Sequence, residues 1–345
     1  MTKSISLLSK KIGDGFPCYI IGEIGNSFQT FEEAKRLIDS AKEIGMDAIK
    51  FQTWDAETVT TKSNYFDFEV TGHISQYEQH KKLQISSELQ HQIMDYANNK
   101  NMLIFSAPSH IQDLKLMDEL EIPIYKIGSD LACHIPLLKK VAKLGKPIIL
   151  STGMCTLEEV RSSVNSILDS GNDQLAILHC ISNYPCTPEE TNLNIISTMK
   201  NEFNLPVGLS DHNLGHTIAL GAAAMGANII EKHFRDQSNT PSPDDPHALF
   251  KNEFLNLVQS IRLIEKAKGN GIKKPTSSEQ QWMNTNRVSV VSLKDIKKDE
   301  IITKDSIDIR RPGNGIQPIY FDSLLGKKSK TDIKKETPLT WDMIE

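Results

Sequence analysis

The 345-residue sequence has no apolar run of bilayer-spanning length: its most apolar stretch, Ile218 to Ile230, is interrupted by Gly and Asn and is too short for a membrane helix. The opening MTKSISLLSKKIGDG has neither a long apolar centre nor a small-residue cleavage site, so no membrane role and no secretory leader are expected, and a cytoplasmic protein is. Cysteine is sparse. Cys18, Cys133, Cys155, Cys180 and Cys186 form an odd set without a CxxC pair, which indicates neither a disulfide framework nor a zinc ribbon; buried thiols are the expectation. Charge of one sign is also lacking: 39 basic against 44 acidic residues leave a net −5, which excludes a nucleic-acid binder by charge. No GxGxxG follows the first strand-like run and there is no P-loop, so a nucleotide is disfavoured. Repeats and low-complexity segments are absent as well.

The chain does have alternation. Short β-branched runs at 18–25 (CYIIGEIG), 48–54 (AIKFQTW), 102–108 (MLIFSAP), 124–130 (IYKIGSD), 147–153 (PIILSTG), 175–182 (LAILHCIS), 206–211 (PVGLSD) and 228–234 (NIIEKHF) are each followed by a segment of helical period. FEEAKRLIDSAKEIG places Phe31, Ala34, Leu37, Ile38, Ala41 and Ile44 on one stripe with Gly45 as the stop, and LEEVRSSVNSILDSG does the same with Leu157, Val160, Val164, Ile167 and Leu168. The series closes with 251–269. Eight strands and eight helices in about 250 residues fit a (β/α)8 TIM barrel, with an open doubly wound sheet as the alternative. The alternation predicts a barrel domain over 1–267. Residues 268–284, rich in Gly, Lys and Ser, read as a linker, and 285–345, with short runs between charged turns and RPGNG, as a small β-rich module.

Active sites of such barrels lie at the C-terminal strand ends, and nearly every end here is polar: Glu23, Lys50 and Gln52, Ser106, Lys126 and Ser129, Ser151, Ser182 and Tyr184, Ser210 and His212, Glu231 and His233. His212 and His233 end adjacent strands about 5 Å apart, close enough to share one ion. Two nitrogen ligands in an otherwise open shell favour Mn2+ or another divalent first-row ion over Ca2+; two separately hydrogen-bonded histidines are the alternative. Strand period puts Glu231 on the face of His233, while Asp211 is expected to support His212 from outside. Lys50 and Lys126, with Ser129, Ser151 and Ser210, suit a phosphorylated carboxylate. A Schiff-base lysine would occupy the same place.

The stretches IIGEIGN, DAIKFQTW, YKIGSD, GKPIILSTGM, LHCISNYP, VGLSDH, IIEKHF and RRPGNGI, in this order over nearly the whole chain, resemble the sialic acid synthase family, phosphoenolpyruvate-dependent synthases of nine-carbon sugar acids. The resemblance implies a barrel followed by an antifreeze-like (SAF, β-clip) domain, in homodimers whose small domain covers the partner's barrel mouth. By position, it implies His212 and His233 as ligands of a divalent metal, Mn2+ first with Mg2+ or Co2+ as alternatives. Lys50, Lys126, Ser129, Ser151, Ser182 and Ser210 would line the phosphoenolpyruvate site, and Glu23, Gln52 and Tyr184 would face the amino sugar. Arg311 would reach that sugar across the dimer. Glu23 is the candidate proton acceptor and Glu231 enters the site or orients a metal water.

The sequence departs from the family pattern at Asn26 to Gln29, at Asp130 and Leu131, at Ser106 to Ser109, and at SPDDPHAL in place of GPDH. These departures bear on the sugar. The expected reaction is metal-dependent condensation of phosphoenolpyruvate with N-acetylmannosamine to N-acetylneuraminate; a diacetamido sugar giving legionaminate or pseudaminate is the near alternative. A Schiff-base aldolase and a non-enzymatic binding module are the distant ones.

Overall fold

The computed structural model describes residues 2–25, 27–68, 72–239 and 244–345. The chain divides into two compact units, Met1–Gly269 and Asn270–Glu345. In the first, eight parallel strands close into a barrel: Tyr19–Gly25, Ala48–Thr53, Ile104–Pro108, Tyr125–Ile127, Ile148–Ser151, Leu175–Cys180, Val207–Asp211 and Ile229–His233, the eighth pairing with the first. Ile, Leu and Val fill the strands because both faces of a parallel sheet are covered. The open-sheet alternative is thereby excluded.

The helix after the first strand, Phe31–Ile44, starts at a capping box between Thr30 and Glu33 and ends at Gly45, whose φ of 84° is left-handed; a residue with a Cβ would be strained there. Its expected apolar stripe is buried at Ala34, Leu37, Ile38, Ala41 and Ile44. The stripe of the Leu157–Leu168 helix is narrower than expected: Val160, Val164 and Ile167 are buried, with Ser163 and Ser166 beside them, but Leu157 is exposed. Leu157 is the first residue of the helix, just after its Thr156 cap.

Two excursions lie outside the alternation. An antiparallel hairpin, Ile5–Leu7 with Lys10–Ile12, adds Ile5, Leu7 and Ile12 to the barrel core. Its flanks bond to residues just before strands, Ser6 N to Gln174 Oε1 and Lys10 Nζ to Asp47, so it closes the end opposite the active mouth. Between the second strand and its long helix Ser87–Asn99 come two helices, Ala56–Val59 and Gln76–Leu83, and a hairpin of Tyr65–Phe68 with Gly72–Ser75.

The second unit pairs Ser289–Ser292 with Ile307–Arg310 and adds isolated bridges such as Ile296 to Ile333. Its core is small, built on Val290, Ile302, Ile307, Leu324 and Leu339. The expected linker is corrected in its second half: Ser277–Asn286 is a helix begun by a capping box of Thr276 and Glu279, a signal that the Ser-rich composition obscured. This helix belongs to the second unit. Gly313 N donates to Asn284 O at 2.7 Å, and a Cβ on Gly313 would lie 2.6 Å from Met283 O, so the RPGNG loop carrying Arg311 seats on the end of that helix.

Candidate active site

The C-terminal strand ends surround a cavity of about 590 Å3. It is lined by Lys50, Gln52, Lys126, Ser129, Ser151, Ser182, Tyr184, Ser210, His212, Glu231 and His233, every barrel residue expected in the site except Glu23, which meets it through its partners. Glu23 and Lys50, neighbours in the register of the first two strands, form a buried ion pair. Glu23 Oε1 also accepts from Gly25 N at 2.6 Å and Gln52 Nε2 at 3.4 Å. Lys126 Nζ lies 3.1 Å from Glu231 Oε1, to which Ser210 Oγ donates at 2.8 Å. Burial alone would push the Glu231 carboxyl up, but Lys126 and Lys50 outweigh it and hold it below the usual range. Burial likewise favours a neutral Lys50, and Glu23 and Glu231 outweigh that, so its ammonium is held charged. Lys50 with Glu23 and Lys126 with Glu231 thus form two buried ion pairs side by side at the mouth.

Next to these pairs is a hydroxyl cradle. Ser129 Oγ accepts from Gly153 N at 2.9 Å, while Ser151 Oγ and Ser182 Oγ are buried with no protein partner among the described residues. Buried hydroxyls without partners point to an absent ligand. Gly153 permits the arrangement: a Cβ there would come within 2.4 Å of Ser182 Oγ and 2.9 Å of Ser129 Oγ.

The third element is imidazole. The rings of His212 and His233 are 5.4 Å apart, and Tyr184 lies 4.2 Å from His212. His212 Nδ1 bonds Ile181 O at 2.7 Å and His233 Nδ1 faces Asp244 Oδ2 at 3.2 Å; each contact engages Nδ1 and leaves Nε2 for a ligand, as carbonyls and carboxylates do behind metal-bound histidines. Burial lowers the His212 pKa and keeps it in its ligating form. Donor chemistry thus fits a divalent ion. Sequence reasoning missed His247, whose ring is 4.5 Å from that of His233 and whose pKa burial and His233 push down to about 2. It also missed Asp244. Ligand atoms of His233, Asp244 and His247 lie within 4.8 Å of one another; the signal was the dense DDPH in a segment that departs from the family pattern.

Asp211 does not support His212. It is buried against Lys232 Nζ at 3.0 Å and accepts from Asn213 N, because alternation turns both residues to the outer face of their strands. Among the departures, Ser27 and Phe28 are buried, Ser106 Oγ bonds Thr53 Oγ1 at 2.7 Å, and Asn26, Ser242 and Pro243 lie outside the described residues. Arg311 is exposed on the second unit. Among the described residues no helix is long and apolar enough to cross a membrane.

Comparison with known proteins gives two family matches, the NeuB family over residues 37–273 and the SAF domain over 287–345. The chain is 36% identical to N,N'-diacetyllegionaminic acid synthase of Legionella pneumophila, with 97% of both chains covered. It is also 36% identical to pseudaminic acid synthase of Campylobacter jejuni, over 92% of this chain and 93% of that one. Among solved structures, N-acetylneuraminic acid (sialic acid) synthetase of Leptospira borgpetersenii superposes with a TM-score of 0.72 at 31% identity, covering 81% of this chain and 95% of that one. With its barrel, its polar mouth and its C-terminal module, the chain belongs to the NeuB family and carries a SAF domain.

Proposed function

We propose that this enzyme condenses phosphoenolpyruvate with the aldehyde form of a 2-acetamido hexose, N-acetylmannosamine giving N-acetylneuraminate, with release of phosphate. The observation that carries the reading is the meeting, at one barrel mouth, of the two ion pairs, the unpartnered serine hydroxyls and the imidazoles. Ser129, Ser151, Ser182 and Lys126 hold the phosphate, and Lys50 and Ser210 the carboxylate end. C3 of phosphoenolpyruvate forms the new bond to the aldehyde carbon; water adds at C2, and C–O cleavage expels phosphate. Lys50 and Lys126 stabilise the charge of that collapse, and Glu23 accepts the water proton. A divalent ion held by His212 and His233, Mn2+ with Mg2+ or Co2+ as alternatives, supplies when bound a Lewis acid for the aldehyde carbonyl.

The Schiff-base alternative loses support at Lys50, since a nucleophilic lysine needs a depressed pKa and the ion pair with Glu23 holds the Lys50 ammonium charged. For the acceptor a second reading has its own support. Trp54, Val59, Phe66 and Leu83 give the cavity an apolar wall, which suits the methyl group of a 2,4-diacetamido-trideoxyhexose, the precursor of legionaminate- and pseudaminate-type acids. Arg311 is assigned to the sugar across a domain-exchanged homodimer. Phosphate release from phosphoenolpyruvate, measured with N-acetylmannosamine, its 6-phosphate and diacetamido sugars, tests the whole reading. A turnover that needs none of them overturns it.

A further inference from the structure

Three of the five cysteines, Cys18, Cys180 and Cys186, are buried, but Cys133 is exposed and Cys155 is half-buried. These two are in contact, with Cys133 Sγ 3.7 Å from Cys155 Sγ across 22 positions of chain. The meeting follows from the pairing of the fourth and fifth strands, in which Ile127 lies beside Leu150: Cys133 and Cys155 follow those strands after loops of similar length. Both loops are braced. Ser163 Oγ, on the helix after Cys155, donates to Ala132 O at 2.7 Å, and Cys155 N donates to Thr152 O at 3.3 Å. The same two loops carry the hydroxyl cradle, since Gly153 N donates to Ser129 Oγ at 2.9 Å.

We infer that Cys133 and Cys155 are a reversible oxidation site: hydrogen peroxide converts the pair to a disulfide, which disturbs the Ser129–Gly153 contact and weakens phosphoenolpyruvate binding. The effect on binding rests on the phosphate cradle of the proposed function, whereas the oxidation site stands without it. Cys133 reacts first. It is exposed, whereas burial and the neighbouring Cys133 push the Cys155 thiol up to about 12, and only a thiolate is a good nucleophile. The Cys133 thiolate attacks one peroxide oxygen; the S–O bond forms, the O–O bond breaks, and the departing hydroxide takes up the proton that Cys133 had given to solvent. The Cys155 sulfur then attacks the sulfenic sulfur of Cys133; the S–S bond forms, the S–O bond breaks, and the expelled hydroxide takes the Cys155 proton. Two thiols thus lose two electrons and two protons to one peroxide, which becomes two waters. The sulfurs close from 3.7 Å to about 2.05 Å, which draws on the loops where Ser129 and Gly153 stand.

The test treats the full-length protein with hydrogen peroxide and reads intact mass, a peptide map and steady-state kinetics. A loss of about 2 Da per chain, a peptide joining Cys133 to Cys155, and a KM for phosphoenolpyruvate raised about threefold or more and restored by dithiothreitol are expected. Cys133→Ser and Cys155→Ser should each keep the kinetics of the reduced wild type and lose the response. Cys133→Ser alters an exposed side chain, so it decides if Cys155→Ser does not fold. No crosslink, a crosslink from either residue to Cys180, or a crosslinked enzyme with an unchanged KM overturns the inference. Reduced wild type with no phosphoenolpyruvate-dependent turnover would instead defeat the proposed function, and the mass shift would still decide the oxidation site.

Discussion

The cross-barrel pair of Lys126 and Glu231 invites a direct perturbation, Glu231→Gln. Both side chains are 4% exposed and 3.1 Å apart. Removing one partner of a buried ion pair costs about 3–5 kcal/mol, because the other charge is left without compensation. Glutamine keeps the volume and still accepts from Ser210, and Glu23 still serves Lys50, so the low end, about 3 kcal/mol, is expected near neutral pH. The effect has a pH signature. Glu231 has a folded pKa below its ordinary 4.5, so its stabilisation is complete above that value and is lost as pH falls through the folded pKa. The gap between wild type and variant should therefore be widest around neutrality and narrow below 4.5. Urea unfolding followed by far-UV circular dichroism and by Trp54 reads the barrel, since Trp282 and Trp341 lie in the other unit. Adding Lys126→Met should recover about 1–3 kcal/mol of the single-variant loss. A gap under about 1 kcal/mol at neutral pH, or one that does not shrink in acid, would refute the reasoning.

Gly153→Ala should displace Ser182 and Ser129 and raise KM for phosphoenolpyruvate about tenfold or more, at a stability cost of about 1–3 kcal/mol; steady-state kinetics with an unchanged KM would show that the cradle does not hold phosphate. Chelation should abolish phosphate release and Mn2+ should restore it, checked against metal content; full activity in metal-free protein would remove the Lewis acid from the proposal. Arg311→Ala should weaken sugar use by about 1.5–3 kcal/mol, the worth of a hydrogen bond to a charged group, with phosphoenolpyruvate KM little changed. Mixed with a Lys50→Ala chain it should regain activity approaching half of wild type per heterodimer, because the proposed domain exchange would leave one mouth without either lesion; confirmed subunit exchange with no recovery would place Arg311 in its own barrel or nowhere in the site.

The barrel was legible because its strands are short β-branched runs with polar residues at one end, as in AIKFQT and VGLSD. Residues contributed by strands, such as Lys50, Lys126, Glu231 and His233, were legible for the same reason: period two and a known direction place them. Residues contributed by irregular chain were not. His247 and Asp244 follow the last strand in a stretch without periodicity, and nothing local says which way either points. Ion pairing was hidden too, because Lys126 and Glu231 are 105 positions apart and meet only when the barrel closes. Asp211 was misread by adjacency: its sequence neighbour His212 faces the mouth, and its spatial neighbour Lys232 does not.

That outward pair has a consequence for how faithfully the barrel assembles. Asp211 and Lys232 are direct partners in the pairing of the seventh and eighth strands, and both are wholly buried. A slip of one residue turns every side chain of a strand to the opposite face. Here it would carry the aspartate or the lysine into the mouth, send a histidine into the helical layer, and separate a pair of charges that have no water to turn to. Misregistered closure is thus penalised by groups that never touch a substrate. The pair acts as a proofreading device for alignment, and the two histidines at the mouth owe their shared level to a contact on the far side of the sheet.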